Sequence, residues 1–371
     1  MSARRDKALF TPGPLTTSLS VKEAMLRDLG SRDRSFIEVV RRIRTALLDV
    51  AGTSQESGFE AIPIQGSGTY GIESVVGSVV PPGKKLLVVI NGSYGERIAT
   101  IAERLGIEVV SLRFAENVTP QIGELEAFLA EQPDVAVVAA VHCETTTGIM
   151  NPIEAMGKVV REHGRTYFVD SMSAFGAVPM DIGGLGVDYL VSSANKCIEG
   201  VPGFSFAICR RDALTATEGY ARSVSLDLLA QWQGLEASGQ FRFTPPTHAL
   251  LAFDQALTEL SAEGGPEGRG RRYAANHAAL VDGMRRLGFE EYLAPDVQGP
   301  IITSFLYPAH EAFAFDVFYD LLNDRDCVIY PGKVSRADCF RIGTIGRLDT
   351  DDVQRLLTAI EEALEIMGVQ M

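Results

Sequence analysis

The composition of this 371-residue chain excludes several classes of protein. Its formal net charge is −14 at pH 7, and an acidic surface repels nucleic acid and anionic membranes, so neither is expected as a partner. Its five cysteines form no C-x-x-C pair and its five histidines are scattered, which predicts reduced thiols in the cytoplasm and no metal site. No apolar run reaches the roughly 18 residues of a membrane span, and the start of the chain does not read as a secretion signal.

The first part of the chain predicts an extended arm followed by helices. Two prolines flank Gly13 in the stretch Leu9–Ser18, so this stretch is expected to be extended. Apolar residues at helical spacing then predict helices over Ser20–Leu29 and Phe36–Val50.

Residues 62–76 predict a strand, a glycine turn and a helix, with Ser67, Gly68 and Thr69 at the helix N-terminus. Free N–H groups and the helix dipole favour an anion at such a position. The same turn could also be an ordinary N-cap.

Strands and helices then alternate as far as residue 209. Strands are predicted at 85–90, 107–112, 135–141, 166–170, 188–191 and 204–209, and helices at 96–105, 120–131 and 153–162. This alternation predicts a largely parallel sheet with helices on both faces. Tyr94 lies at one of the strand-to-helix turns, where it could be a half-buried aromatic or a ring that stacks on a flat ligand.

Two polar residues, Asp170 and Lys196, follow predicted strands where ligands of open α/β sheets collect. Lys196 is the only lysine between Lys158 and Lys333, and burial can turn a lysine amine into a nucleophile. Either residue alone could be an ordinary strand end. Together they supply the two groups that pyridoxal phosphate needs, which are an amine for its aldehyde and a carboxylate for its pyridine nitrogen.

The last part of the chain has a different pattern. A helix is predicted at His248–Leu260, and the glycine-rich stretch Gly264–Gly270 predicts a loop near a domain boundary. Helices and short strands follow, at 272–287, 301–306, 312–322, 328, 340 and 351–367, which predicts an α+β domain. Arg341 stands alone in an apolar strand. A buried guanidinium there needs an anion, either from an internal salt bridge or from a substrate acid group.

Three motifs carry a resemblance to a known family: Asp170-Ser-Met-Ser, Ser193-Ala-Asn-Lys-Cys-Ile-Glu-Gly-Val-Pro-Gly-Phe and His142-Cys-Glu-Thr-Thr-Thr-Gly-Ile-Met-Asn-Pro. They resemble the pyridoxal-phosphate transaminases of aspartate-aminotransferase fold type, class V. The resemblance runs from Phe10 to Gly343. It implies an N-terminal arm over 1–18 that joins the small domain, a large α/β domain over 19–262 with a mostly parallel sheet between helices, and a small α+β domain over 263–371.

The resemblance also implies a cytoplasmic homodimer with its active site at the subunit interface, and it implies a role for each matching residue. Lys196 would hold pyridoxal 5′-phosphate as a Schiff base, and Asp170 would keep the pyridine nitrogen protonated. The cofactor would also contact Ser67, Gly68, Thr69, Tyr94, Thr145, Asn195 and, from the neighbouring subunit, Thr244. Gly13 and Arg341 would bind the substrate. The three threonines after Glu144 could equally serve turn formation, and neither Arg242 nor Gly30–Phe36 receives a role.

Within this family the chain is most similar to members that convert 2-aminoethylphosphonate and pyruvate to phosphonoacetaldehyde and L-alanine. The stretch 195–204, the arm 11–17 and the stretch 243–248 carry that similarity. Alanine–glyoxylate and serine–pyruvate transaminases share the Asp, Lys and Arg and stay an alternative. A cysteine desulfurase is less favoured because Cys327 and Cys339 lie in apolar runs, and a non-enzymatic binding module is the third alternative.

Overall fold

The computed structural model describes residues 6–334 and 336–370. The first five residues of the predicted arm, and Ser335 and Met371 of the predicted small domain, lie outside the described residues. Within the described ranges, no helix is both long and apolar enough to cross a membrane.

The strands of the described chain form one large and three small sheets. In chain order they are β1 Ala8–Leu9, β2 Phe59–Gln65, β3 Lys85–Ile90, β4 Glu108–Arg113, β5 Val135–Val141, β6 Cys143–Glu144, β7 Ile149–Met150, β8 Thr166–Asp170, β9 Tyr189–Ser193, β10 Phe204–Arg210, β11 Ile302–Leu306, β12 Cys327–Val328, β13 Tyr330–Pro331 and β14 Cys339–Gly343.

The helices pack against these sheets. They are α1 Leu19–Glu23, α2 Arg34–Val50, α3 Gly68–Val79, α4 Ser93–Arg104, α5 Ile122–Glu131, α6 Ile153–Glu162, α7 Arg211–Thr215, α8 Leu228–Ser238, α9 Thr247–Ala262, α10 Gly265–Arg286, α11 Phe315–Asn323 and α12 Thr350–Met367.

The large sheet has the strand order β2-β10-β9-β8-β5-β3-β4. Strand β10 is antiparallel to both of its neighbours, and the other pairs are parallel. Apart from Lys85, strands β3 and β5 are continuous apolar runs that are almost entirely buried, as expected for strands covered on both faces. The predicted mostly parallel sheet between helices is therefore confirmed, and the strands that precede Ser67, Asp170 and Lys196 all end at one edge.

The C-terminal part forms an antiparallel sheet in the order β11-β14-β13, with helices α10, α11 and α12 around a second apolar core. Aromatic rings dominate this core, among them Phe289, Phe305, Phe318 and Phe340. The N-terminal segment contributes to it as well, because β1 pairs with β12 and Phe10 is fully buried there. The predicted smaller α+β unit is confirmed, whereas the boundary between residues 262 and 263 stays a prediction.

Two predicted elements are wrong. The helix expected over Ser20–Leu29 ends at Glu23, and Leu26 is exposed, so the apolar face does not continue. The loop expected over Gly264–Gly270 is instead the start of helix α10. A Cβ atom at Gly270 would overlap the carbonyl group of Ala177, so close packing explains the glycine and overrides its low helix propensity.

Candidate active site

Lys196 follows β9 by three residues, and its amine lies under the N-terminal arm. Its Nζ atom donates a hydrogen bond of 2.7 Å to the carbonyl oxygen of Pro12. Burial lowers the pKa of the amine to about 8, although the charge of Asp170 acts in the opposite direction. At pH 7 roughly a tenth of this amine is therefore neutral, and hence nucleophilic, which is far more than for a lysine of ordinary pKa.

Asp170, the last residue of β8, is 1% exposed and incompletely hydrogen-bonded. Its Oδ1 atom accepts a hydrogen bond from the Met172 N–H at 2.9 Å, but Oδ2 is buried and has no partner in the described structure. Burial raises the pKa of this carboxyl to about 6. A buried acceptor of this kind needs a donor from outside the described chain, and the protonated nitrogen of a pyridine ring is such a donor.

The predicted anion-binding turn lies at the same edge of the sheet. Helix α3 begins at Gly68, with Ser67 as its N-cap residue, and the Ser67 hydroxyl makes no capping hydrogen bond. The first N–H groups of a helix have no partner within it, so together with the Ser67 and Thr69 hydroxyls they could bind a phosphate. A Cβ atom at Gly68 would overlap the side chain of Met172, so this glycine lets α3 approach the segment after Asp170.

Arg341, on strand β14, is only 2% exposed. Its Nε atom donates to the Pro331 carbonyl at 2.9 Å and its Nη1 atom to the Thr145 carbonyl at 2.6 Å. The internal salt bridge considered as an alternative is not found, because no described carboxylate pairs with Arg341. Burial lowers the pKa of the guanidinium. The site thus holds a buried cation that lacks an anion.

The structure also locates the other predicted residues. A Cβ atom at Gly13, which has φ +120°, would lie 2.9 Å from Lys196 Nζ, so the arm approaches the lysine closely at this glycine. Asn195, next to the lysine, is half-buried. Thr145 is buried, and it is the hydroxyl of Thr146 that donates to Glu144. The contact of Thr145 with a cofactor stays a prediction.

For Thr244, the described structure shows no contact with Asp170 or Lys196. It is exposed and lies beside Gln65, whose Nε2 atom donates to the Phe243 carbonyl at 2.9 Å and reaches the Thr244 carbonyl at 3.5 Å. Gln65 ends β2, just before the turn at Ser67. Thr244 therefore stands on the surface near that turn, and its role stays a prediction.

Glu144 is a functional candidate that sequence reasoning missed. It is fully buried, and its carboxylate accepts hydrogen bonds from the N–H groups of Tyr94 at 3.2 Å and Gly95 at 3.3 Å and from the Thr146 hydroxyl at 2.6 Å. It thereby complements the N-terminus of α4 and fixes the backbone of Tyr94. The signal was a lone acidic residue three residues after the apolar strand β5, within the motif that carried the resemblance.

A second missed residue, Glu199, holds the turn that bears Lys196. Its buried carboxylate contacts Arg272 at 2.8 Å and Arg269 at 3.3 Å, and it accepts a hydrogen bond of 2.6 Å from the Tyr273 hydroxyl. Arg269 also donates to the Cys197 carbonyl at 2.6 Å. Helix α10 therefore fixes the lysine-bearing turn through charge-assisted hydrogen bonds, which are stronger than neutral ones.

Proteins of known name resemble this chain along almost its whole length. A protein of Vibrio cholerae named 2-aminoethylphosphonate–pyruvate transaminase is 49% identical over 358 residues, which are 96% of this chain and 97% of that protein. A Bacteroides fragilis protein of the same name is 48% identical over 356 residues, 95% of this chain and 98% of that protein.

The fold is likewise that of known aminotransferases. The crystal structure of pyridoxamine–pyruvate aminotransferase from Mesorhizobium loti superposes with a TM-score of 0.89 at 22% identity, over 100% of this chain and 95% of that chain. The family model described as aminotransferase class-V matches residues 18–332. With that match and near full-length relatives at 49% identity, the chain belongs to the class-V aminotransferases.

Proposed function

We propose that this class-V aminotransferase uses pyridoxal 5′-phosphate to convert 2-aminoethylphosphonate and pyruvate to phosphonoacetaldehyde and L-alanine. The observation that carries the choice of substrates is the agreement of near full-length relatives at 48–49% identity, which share one name. The choice of cofactor is supported by the pairing of a buried carboxylate that lacks a donor with a lysine of lowered pKa.

The residues at the sheet edge fit this cofactor. When bound, pyridoxal phosphate supplies an aldehyde carbon that bonds to amines and a pyridine ring that takes up electrons from the substrate carbon. Lys196 would bind the aldehyde carbon, and Asp170 Oδ2 would accept the N–H of the ring. The phosphate would be held by Ser67, Gly68 and Thr69, and the remaining contacts would come from Tyr94, Thr145 and Asn195.

The chain's own groups then divide the work. Arg341 orients a substrate through its acid group, and a guanidinium suits both a carboxylate and a phosphonate. Lys196 Nζ, with a pKa of about 8, is suited to take a proton from the amine-bearing carbon of that substrate. Asp170 would keep a proton on the ring nitrogen of the bound cofactor. The arm at Gly13 borders the lysine and would limit the room around the substrate.

The proposal includes a cytoplasmic homodimer in which Thr244 reaches the phosphate of the neighbouring subunit. Its support is the exposure of Thr244 near the anion-binding turn, together with Tyr70 and Phe243, which are exposed aromatic residues close by. The cysteines at 143, 197, 209, 327 and 339 are all free thiols, which agrees with a reducing compartment.

A single half-turnover tests the proposed function. The cofactor-loaded protein receives 2-aminoethylphosphonate without a keto acid, and the absorbance band of the lysine-bound cofactor is followed. We expect the band to disappear as phosphonoacetaldehyde forms, and pyruvate to restore it. If only alanine or serine removed the band, the cofactor would stand and the substrate would be wrong. Lys196→Ala is the control, because it should show no lysine-bound band at all.

A further inference from the structure

Two cations lie over the ring of Tyr94, and a third, Arg341, interacts with its hydroxyl. The guanidinium carbon of Arg97 lies 4.8 Å from the ring centroid, and Nζ of Lys333 lies 4.5 Å from it. Arg341 lies beside the same tyrosine. Burial lowers the pKa of Arg341, and the Tyr94 phenol partly offsets this effect by raising it. The three cations come from separate elements, namely α4, the segment between β13 and β14, and β14 itself. The fold therefore brings Arg97 next to two cations that lie more than 200 residues later in the sequence.

None of the three cations forms an ion pair with a described carboxylate. Glu144 is near enough to act on the pKa of Lys333, but its oxygens already accept hydrogen bonds from Thr146 and from the N-terminus of α4. Burial and the charges of Arg97 and Arg341 lower the pKa of Lys333. Like charges held together in a partly buried site need an anion, and the described chain does not supply it.

The cluster also borders the proposed cofactor site. The charge of Arg97 acts on the pKa of both Asp170 and Lys196, so it lies near the two groups that would hold the cofactor. Arg341 alone could pair with a carboxylate, which carries a single charge. A phosphonate resembles a phosphate group, which carries close to two negative charges at pH 7 and presents three acceptor oxygens.

We propose that Lys333 and Arg97 bind the second negative charge of the phosphonate, and so make the site prefer a dianionic amine substrate to a carboxylate such as alanine. This inference rests on the proposed function and deepens it. Arg341 serves both half-reactions, whereas Lys333 and Arg97 serve mainly the phosphonate. The ring of Tyr94 contacts both Arg97 and Lys333, and a cation–π contact helps to keep each in place.

The test compares two substrates in the cofactor-loaded wild type, Lys333→Met, Lys333→Arg and Arg97→Met. Lys158→Met is the matched control, because Lys158 is exposed on α6. Half-turnovers are measured with 2-aminoethylphosphonate and, separately, with L-alanine. Because a lost charge-assisted hydrogen bond costs about 1.5–3 kcal/mol, Lys333→Met should raise the half-saturating concentration of 2-aminoethylphosphonate about tenfold or more. The half-saturating concentration of L-alanine should stay within about twofold of the wild-type value. Lys333→Arg, which keeps the charge, should bind 2-aminoethylphosphonate almost as well as wild type.

The inference would be overturned if Lys333→Met weakened the binding of both substrates equally. It would also be overturned if Lys333→Met weakened the binding of the cofactor but not that of 2-aminoethylphosphonate. Ethylphosphonate and propionate, added as inhibitors of the alanine half-reaction, separate this inference from the proposed function. If 2-aminoethylphosphonate failed as a substrate but ethylphosphonate bound in a Lys333-dependent way, the dianion site would stand and the proposed substrate would be wrong. If 2-aminoethylphosphonate reacted equally well in wild type and Lys333→Met, only the further inference would fail.

Discussion

The carboxylate of Asp170 lowers the stability of the cofactor-free protein above pH 6. Burial raises its pKa from 3.8 to about 6, so between these two values the native state binds more protons than the unfolded state. The free energy of unfolding therefore falls as pH rises through this window. Two pKa units correspond to about 3 kcal/mol, and this cost is fully present above pH 6. The N–H of a bound pyridine ring, by donating to Asp170 Oδ2, would remove part of this cost.

This linkage predicts that Asp170→Asn stabilises the cofactor-free protein. The amide keeps an oxygen for the Met172 N–H but never carries a charge, so the gain should reach about 2–3 kcal/mol at pH 8 and be clearly smaller at pH 5. Urea unfolding at the two pH values measures it. Asp296→Asn, at an exposed position, should change little. A gain independent of pH would contradict the assigned pKa.

The same substitution should cost activity in the cofactor-loaded protein. A neutral amide cannot hold the ring nitrogen in its protonated form, so we expect a loss of about a hundredfold or more, as for other groups that stabilise developing charge. Half-turnover rates measure this loss. A variant that is more stable without cofactor and slower with it would indicate a functional carboxylate. Full activity in Asp170→Asn would refute the role given to this residue.

At the residue level, the sequence predicted those groups whose chemistry is unusual for their position. Asp170 ends an apolar strand, Lys196 closely follows one, and Arg341 interrupts one, so each could be recognised from its own neighbours in the chain. The roles of Glu144 and Lys333 could not be predicted in this way. Their importance depends on contacts with Tyr94 and the N-terminus of α4, which lie far from them in the sequence.

Among the secondary-structure elements, helix α4 depends on an acceptor from outside its own sequence. Its N-cap, Gly92, has no side chain, and Glu144 takes the N–H groups of Tyr94 and Gly95. The extended glycine is needed for this arrangement, because a Cβ atom at position 92 would overlap the Glu144 carboxylate. The carboxylate from β6 thus replaces the usual capping residue.

We therefore predict that Glu144→Ala destabilises the protein by about 1–3 kcal/mol or more, because buried donors lose their acceptor. Tyr94 should also lose its fixed position, so the cofactor should bind less tightly. Chemical denaturation and a cofactor titration measure the two effects. The control is Glu154→Ala, an exposed acid in the first turn of α6, which should change stability by about 0.5 kcal/mol at most. Equal effects of the two substitutions would argue against the capping role.

Periodicity predicted well those elements whose own residues decide their structure. Strands β3, β5 and β8 and helix α6 have the predicted bounds, since their apolar faces are continuous from end to end. The beginning of α10 could not be predicted, because glycines there serve tertiary packing, and Arg269 and Arg272 pair with Glu199 and Glu263. Local propensity is a weak guide where long-range contacts decide the conformation.

For the whole molecule, the proposed homodimer makes a prediction about hybrids. If Thr244 serves the neighbouring subunit, a hybrid of one Lys196→Ala chain and one Thr244→Ala chain has one site with both residues intact. Co-expression with two different affinity tags isolates the hybrid, and its activity should approach half that of wild type. If Thr244 served its own subunit, one site would lack Lys196 and the other would lack Thr244. The hybrid would then be no more active than a single site that carries Thr244→Ala.

The class of the fold was predictable, but its strand order was not. Alternating strands and helices predicted a mostly parallel sheet, because parallel strands need crossover connections. The insertion of antiparallel β10 between β2 and β9 left no mark in the sequence, since its residues are as apolar as those of a parallel strand. Likewise, the resemblance implied that the arm joins the small domain, but nothing in the composition of residues 6–18 indicated that it pairs with β12 and places Pro12 on Lys196.

The arm has a consequence for the order in which a new chain can become active. Lys7 contacts Asn323, which lies 316 residues later, and Ala8 pairs with Cys327, so the arm leaves the ribosome long before its partners exist. At about 5–20 residues per second, translation takes roughly 15 to 60 seconds to supply them. Until then nothing holds the Pro12 carbonyl over Lys196, and the first residues made are among the last to reach their place in the site.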